Sequence, residues 1–479
     1  MDLSKLVKTK IVATLGPASC EYEIVKQLIE AGVSMFRLNS SHGTIETHTE
    51  YLNTIRKASE ELNEHIPIML DLQGPKIRVG NIPEPINITV GQEIVLAPIN
   101  PENDEIPVDY DGIAKDVQIG DKILLDDGKI GLEVAEIIND KVKTKVLYGT
   151  EIKPRKGINV PSAAASLSAV TDRDIKYIEF AAKNNLDYIA LSFVRNPEDV
   201  NLAKDYINKF SGDIPVIAKI EKPQAVDNID KIIEVSDGIM VARGDLGIEL
   251  SPELVPVTQK LIVKKTAEAR KVCIVATQML ETMIEQPIPT RAEASDVANA
   301  ILDGADAIML SAETASGKYP ILSVQTMAKI AKAVEDSIIC PKDIDLDINP
   351  NYNTSSQAIA MASVKMAEEL NAKAILAFSH TGYTPKLISK HRPCVPVFTI
   401  TNEKKYCTRL NLYWNLRADC VDVDLPLDNA LIERLDNYVL NNTDLKRGER
   451  IIIVGSIPKL ITGKTNSIYV HIIGEPYSR

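Results

Sequence analysis

Eight short runs rich in apolar and β-branched residues recur along the chain, and most are followed by an amphipathic stretch of helical length. They are Thr9–Gly16, Met35–Ser41, Ile66–Gly74, Asp187–Val194, Ile214–Glu221, Gly238–Gly247, Val272–Met279 and Ala307–Glu313. Such alternation marks parallel βα units, because two parallel strands need a long crossover and a helix usually supplies it. Helices expected between the runs include Glu21–Ala31, Asp174–Asn184 and Val255–Arg270, each with apolar residues three to four apart. Eight units predict an α/β fold built on a closed (β/α)8 TIM barrel; an open doubly wound sheet is the alternative.

Far more than one helix separates the third and fourth runs. The insert, residues 79–159, carries the strand-like segments Ile88–Leu96, Lys122–Leu125, Ile130–Val134 and Lys141–Leu147, and Asp127-Gly128 is a hairpin turn signal. It reads as a small β-barrel lid on the loop after the third strand, at the end of a barrel where active sites lie. The barrel itself is then expected over residues 1–78 and 160–339. A Pro/Asp/Asn-rich stretch, PKDIDLDINPNYNT, reads as a linker. Beyond it a C-terminal α/β domain is expected over residues 350–479, with strands Ala374–Phe378, Val395–Ile400, Asp419–Val423, Arg450–Val454 and Ser467–Ile473 and a helix at Leu427–Leu440.

Charge narrows the choice of partners. The net charge is −12, with no long basic run, which argues against nucleic acid. No apolar run approaches the roughly 18 residues of a membrane helix, so a membrane role is not expected either. The N-terminal MDLSKLVKTKIVATLG enters a strand-like run with no signal-peptide character, which makes a cytoplasmic protein the expectation. Six cysteines, Cys20, Cys273, Cys340, Cys394, Cys407 and Cys420, show neither a CxxC pair nor metal-like spacing, so free thiols are expected.

Ionisable residues at the C-terminal ends of parallel barrel strands need a reason, since those strands are otherwise apolar. In MFRLNSSHG, strand alternation sends Arg37, Asn39 and Ser41 to one face. Lys219 with Glu221, Arg243 with Asp245, and Ser311 with Glu313 repeat the pattern. Any one pair reads equally as a salt bridge at a strand end, whereas four at the same end of different strands point to a shared mouth. Glu221 and Asp245 are the sparse oxygen ligands that suit Mg²⁺ or Mn²⁺. Arg37, Arg78 and Lys219 supply positive charge for a phosphoryl group in transfer. Backbone N–H groups at Gly244 and Asp245 offer a place for a substrate carboxylate, Thr277 a hydroxyl for a proton, and His42, next to the polar trio, a nucleotide contact.

Taken together, KIVATLGPAS (from Lys10), FRLNSSHG (from Phe36), LDLQGPKIRVG (from Leu70), IAKIEKPQAV (from Ile217), DGIMVARGDLGIEL (from Asp237), ATQMLETM (from Ala276), the long PTRAEASDVANAILDGADAIMLSAETASGKYP (from Pro289) and TGKTNSIYVHIIG (from Thr462) resemble the pyruvate kinases. The resemblance implies a TIM barrel with a β-barrel lid and a C-terminal regulatory domain, usually in a homotetramer. It implies phosphoryl transfer from phosphoenolpyruvate to ADP, giving pyruvate and ATP. Lys219, Arg37 and Thr277 would be catalytic, and Gly244 and Asp245 would join them in binding substrate. Glu221 and Asp245 would hold Mg²⁺, and Asn39, His42 and Arg78 would meet the nucleotide. Family members commonly bind K⁺ at positions matching Asn39, Ser41, Asp71 and the Leu72 carbonyl; this chain has Lys76 beside them, so K⁺ is expected to be dispensable. Asn196 stands where many relatives carry a basic residue, which puts nucleotide preference in question, and Ser162 and Ala312 replace glycines without an evident consequence. In FSHTGYTPKL the family's effector loop corresponds to Ser379, Thr381, Gly382 and Thr384, where hydroxyls and helix amides suit a phosphorylated effector. Two other readings are a metal-dependent barrel that forms carbon–carbon bonds through an enolate, and a paralogue that senses metabolites without catalysis.

Overall fold

Strands β1 (Lys10–Thr14), β2 (Val33–Asn39), β3 (Ile68–Asp71), β4 (Tyr188–Leu191), β5 (Val216–Ile220), β6 (Gly238–Ala242), β7 (Val272–Ala276) and β8 (Ala307–Leu310) pair in parallel in sequence order. β8 returns to β1, closing the barrel and excluding the open sheet. The computed structural model describes residues 2–98, 105–160, 167–337, 346, 354–421, 429–456 and 465–476. Cys340, Ser162, the start of TGKT and most of the linker lie outside them.

Strand alternation determines what fills this barrel. Phe36, Leu38, Leu70, Val241 and Ile308 face outward into the shell shared with the helices, while Val12, Met35, Met69, Ile217, Met240 and Met309 form the inner plug. One alternation step above Met35, Met69 and Ile217 stand Arg37, Asp71 and Lys219, so the polar layer sits directly on the apolar plug. The surrounding helices begin where capping chemistry allows. Thr171 with Asp174 and Thr290 with Glu293 form reciprocal capping boxes at Asp172–Lys183 and Arg291–Leu302.

Two strands stop short of the expected ends. β6 ends at Ala242 and Arg243–Glu249 is helical; β8 ends at Leu310 and Ala312–Ala315 is helical. Arg243 with Asp245 and Ser311 with Glu313 are therefore not related by strand alternation.

The insert forms a seven-stranded sheet whose end strands are Ile77–Arg78 and Ile106–Pro107. An antiparallel bridge between Val79 and Val108 joins those ends, so the sheet curls around its own apolar core. It takes in Ile77 and Arg78, two residues before the expected start of the lid. At the Lys122–Leu125 to Ile130–Ile138 hairpin, Asp126 and Asp127 join Gly128 at positive φ (49°, 56° and 83°). Ion pairs from Asp126 to Lys156 (2.8 Å) and Lys129 (3.6 Å) hold that turn.

The C-terminal sheet comprises β9 (Ile375–Phe378), β10 (Val397–Thr401), β11 (Leu416–Cys420), β12 (Arg450–Gly455) and β13 (Ser467–Ile472), in the order β11-β10-β9-β12-β13 with β13 antiparallel. It docks on the N-terminal end of the barrel. Buried Lys390 and Arg392 pair with Asp306 just before β8, the Tyr188 hydroxyl donates to the Arg409 carbonyl (2.8 Å), and Lys10 Nζ donates to the Leu416 carbonyl (2.6 Å). One cysteine expectation is overturned: Cys407 and Cys420 form a disulfide across 13 residues. Helix Lys404–Arg409 packs back on β11 and brings their Cα atoms within 5.7 Å, a proximity that linear spacing does not reveal. Cys20, Cys273 and Cys394 are free thiols. Among the described residues no helix is long and apolar enough to cross a membrane.

Candidate active site

The polar layer at the barrel mouth is organised around two buried carboxylates. Asp71, at the end of β3, is 1% exposed; one oxygen takes a 2.7 Å hydrogen bond from Arg37 Nε and the other lies 3.2 Å from Lys219 Nζ. Glu221, just beyond β5 and equally buried, lies 2.9 Å from Lys219 Nζ and accepts the Phe193 N–H at 2.6 Å. Lys219 also donates to the Ser192 hydroxyl at 2.7 Å, and Arg37 to Thr14 Oγ1 at 3.0 Å. The ammonium and the guanidinium thus share Asp71 and are fixed side by side.

Electrostatics follow from this geometry. Burial works to raise the pKa of Asp71, but the charges of Lys219 and Arg37 outweigh it and hold it below its ordinary value. Burial works against the charged form of Lys219, yet Asp71 and Glu221 override it and raise its pKa, so Lys219 is a permanent cation at neutral pH. Glu221 goes the other way. Burial raises its pKa, Lys219 only partly compensates, and the negative charge of Asp245 adds to the rise.

That unfavourable pairing of Glu221 with Asp245 is what a bound divalent cation would relieve. Among the described residues no three His, Cys, Asp or Glu side chains converge on one point. A protein cage of the zinc type is therefore not built there, while two carboxylates leaving room for water and substrate oxygens match the needs of Mg²⁺. The donor set fits the ion.

Thr277 follows β7 at φ +70°, a left-handed conformation that a β-branched residue seldom adopts. Its hydroxyl accepts the Gly244 N–H at 2.7 Å and donates to the Ala276 carbonyl at 2.6 Å. Gly244 therefore spends its amide on Thr277, and Asp245 follows it in the first turn of the short helix. Arg243 turns away from the mouth, donating to Asp296 at 2.7 Å and to the carbonyls of Thr277 and Gln278 at 2.7 and 3.1 Å. Its task is to hold the strained Thr277 turn.

The remaining expected residues are distributed around this centre. Asn39 Oδ1 accepts the Ser41 N–H at 3.1 Å, and the Leu72 carbonyl accepts the Ser192 hydroxyl at 2.7 Å. With Asp71 held by Arg37 and Lys219, three of the four groups expected to face a monovalent cation already have protein donors. Lys76 is not brought into an ion pair with Asp71. Its chain lies against Gly157 of the lid, where a Cβ would come 2.9 Å from Lys76 Cε. His42 is exposed on the loop after β2. Arg78 belongs to the lid sheet, with its N–H donating to Asp109 and Nη1 to the Arg155 carbonyl at 3.2 Å. Asn196 caps helix Pro197–Lys209, accepting the Asp199 N–H at 3.0 Å.

Ser192, the Phe193 amide and Glu249 were not singled out from the sequence. Ser192 is one alternation step beyond the interior residue Ala190, a signal available in principle but carried by an unremarkable residue type. Glu249 accepts from Asn159 of the lid (2.8 Å) and from Lys222 (3.2 Å), joining lid to barrel across a cleft lined by Lys76, Arg195 and Lys222. Asp116 shares that lining, and Lys222 and Arg195 are paired there with Glu249 and Asp199. In the C-terminal domain, Gly382 stands at φ +72° as expected of a strand-to-helix turn, and a Cβ there would meet Leu410 at 2.6 Å. Thr384 is buried with its hydroxyl bonded to that of Thr465, and the Ser379 N–H donates to the Ile400 carbonyl at 3.2 Å.

Comparison with known proteins agrees with the fold over nearly the whole chain. Residues 6–324 match the family model described as pyruvate kinase, barrel domain, and residues 357–471 match pyruvate kinase, alpha/beta domain. Curated pyruvate kinases of Sporosarcina psychrophila and Bacillus licheniformis are each 40% identical over 478 residues, covering 98% of this chain and 81% of theirs. A crystal structure of a pyruvate kinase from Cryptosporidium parvum superimposes with a TM-score of 0.90 at 34% identity, covering 98% of this chain and 97% of that one.

Proposed function

Because the chain belongs to the pyruvate kinase family, we propose that the cluster of Arg37, Asp71, Lys219 and Glu221 is where it transfers phosphoryl from phosphoenolpyruvate to ADP. The protein is a phosphotransferase of this kind, with phosphoenolpyruvate and ADP as substrates and pyruvate and ATP as products. The observation that carries the assignment of residues is Lys219, whose ammonium is held by Asp71, Glu221 and Ser192 within 3.2 Å.

Such a fixed cation needs no reorganisation when negative charge moves from the enol oxygen to the incoming nucleotide oxygen. Lys219 and Arg37 hold the phosphoryl group in flight, and Asp71 keeps both at their stations. Glu221 and Asp245 hold Mg²⁺, or Mn²⁺, which when bound supplies further positive charge to the substrate's oxygens. The Asp245 amide and Thr277, with Gly244 kept in place by the Thr277 hydroxyl, position the substrate carboxylate. Thr277, or water ordered by it, carries the proton that converts the enolate to pyruvate. Asn39, His42 and Arg78 meet the nucleotide.

Independence from K⁺ is supported by the donors already present on Asp71, Leu72 and Asn39. A phosphorylated effector at Ser379, Thr381, Gly382 and Thr384 is supported by the strand-to-helix turn that these residues form. A homotetramer is supported by the exposed apolar residues Val257 and Leu261 of helix Val255–Glu268 and Leu254 at its N-cap. Glycolytic work on soluble metabolites supports a cytoplasmic location. Pyruvate production from phosphoenolpyruvate, ADP and Mg²⁺, followed through a coupled lactate dehydrogenase, tests the reaction. Turnover that persists in Lys219→Met would remove the assignment of residues.

A further inference from the structure

Between the N-terminal end of the barrel and the C-terminal domain lies a cavity of about 290 Å³, remote from the barrel mouth. Its size approaches the lower end of small-molecule sites, and domain junctions are where such sites concentrate. Four tyrosines, Tyr188, Tyr383, Tyr406 and Tyr413, and four cations, Arg270, Lys271, Lys386 and Arg409, line it. Its two acids are already paired, Asp213 with Lys405 and with Arg409 of the lining itself, and Asp237 with Lys204.

The lining leaves donors unused. Among the described residues Lys386 Nζ has no hydrogen bond or ion pair, and it lies 5.1 Å from the centre of the Tyr413 ring. Burial pushes its ammonium down to about 8, with Asp237 too weak an influence to restore it. Arg409, 9% exposed, spends its terminal nitrogens on the carbonyl and carboxylate of Asp213, while its buried Nε has no acceptor among the described residues. The Tyr413 hydroxyl and the Thr381 hydroxyl likewise have no hydrogen-bond partner among the described residues. Unpaired buried donors are costly unless something accepts from them. We propose that this cavity binds a small ring-bearing organic anion, its charged end on Lys386 and Arg409 and its ring among the tyrosines, bridging barrel and C-terminal domain.

Phenyl phosphate is a minimal probe; Trp414, the chain's single tryptophan and the residue after Tyr413, is buried beside Arg392, and its emission is the readout. The full-length protein is titrated with phenyl phosphate while Mg²⁺ and saturating phosphoenolpyruvate, without ADP, keep the catalytic site filled. A saturable change in Trp414 emission in the millimolar range or tighter is expected. Lys386→Met should weaken binding about 10-fold or more and Lys386→Arg only about 3-fold, as expected for a charge-assisted hydrogen bond. Tyr413→Phe, which leaves packing intact, should weaken it about 3-fold or more. Inorganic phosphate, lacking the ring, should bind at least about 10-fold more weakly than phenyl phosphate. No saturable signal, unchanged affinity in both Lys386→Met and Tyr413→Phe, or equal affinity for inorganic phosphate would each overturn the proposal. If Lys386→Met does not fold, Tyr413→Phe decides alone.

Discussion

Replacing Lys219 by Met tests the electrostatic account at its centre, because the structure fixes both the catalytic and the stability consequences. Methionine fills similar space but leaves Asp71 and Glu221 without the ammonium now within 3.2 Å of each. Asp71 keeps Arg37 at 2.7 Å, so the penalty falls mainly on Glu221. Breaking a buried pair costs about 3–5 kcal/mol. A carboxylate has an escape, however, since it can take up a proton. From its ordinary value of 4.5, doing so at about pH 7.5 costs about 4 kcal/mol, and at about pH 5.5 about 1 kcal/mol. The Glu221 pKa is raised in the folded state and rises further in the variant. A group of that kind contributes stability that is complete below its unfolded value and is lost as pH rises through its folded value. The variant's deficit against the parent should therefore shrink, by up to about 3 kcal/mol, between about pH 7.5 and 5.5. Adding Glu221→Gln should restore stability at neutral pH without restoring turnover. Loss of the transferred group's main counter-charge should lower kcat at least about 1,000-fold, or about 4 kcal/mol of barrier. Denaturant melts at the two pH values and a coupled pyruvate assay measure the two effects separately. A deficit that does not change with pH would refute the assignment of the penalty to Glu221, and turnover within tenfold of the parent would refute the catalytic role.

Three further outcomes follow from particular contacts. Thr277→Ala removes the hydroxyl that accepts the Gly244 N–H but relieves a β-branched residue at φ +70°, so stability should change by no more than about 1 kcal/mol while kcat drops about 100-fold. Thr277→Ser should keep most activity, and a Thr277→Ala enzyme within twofold of normal kcat would dismiss the role. Replacing K⁺ by tetramethylammonium should leave turnover nearly unchanged, whereas strong activation by K⁺ would show that the protein donors on Asp71 and Leu72 do not substitute for it. The Cys407–Cys420 bond closes a short loop, so the Cys407→Ala/Cys420→Ala double variant should lose up to about 3 kcal/mol in denaturant melts. Thiol titration of unreduced, unfolded protein should find both sulfurs blocked; finding them free would contradict the pairing.

How far the sequence could be read depended on whether a single periodicity governed the residues concerned. Inside the strands it did. Arg37 and Lys219 stand one alternation step above Met35 and Ile217, so their place in the mouth was legible from a period of two. The same rule was carried past Ala242 and Leu310, where helices begin at once, and there it failed for Arg243 and Glu313. Arg243 is absorbed in holding the Thr277 turn, and Glu313 accepts backbone N–H groups from Leu280 (3.2 Å) and Ser311 (2.7 Å). Both are buried polar residues serving backbone that no regular element satisfies. A charged residue just beyond a strand end therefore has two competing employers, substrate and unsatisfied loop backbone, and residue type does not distinguish them. Asp245 was identified for the right location by an argument that does not apply to it: the first turn of its helix, not strand alternation, puts its charge near Lys219 and Glu221. Contacts that depend on two separate elements meeting, such as Cys407 with Cys420 or Glu249 with Asn159, leave no periodic trace at all. The cavity at the domain junction is of this second kind. Lys386 looks in the sequence like one more solvent-facing lysine on an amphipathic helix, and only the docking of that helix against the barrel removes its water and leaves its charge unanswered.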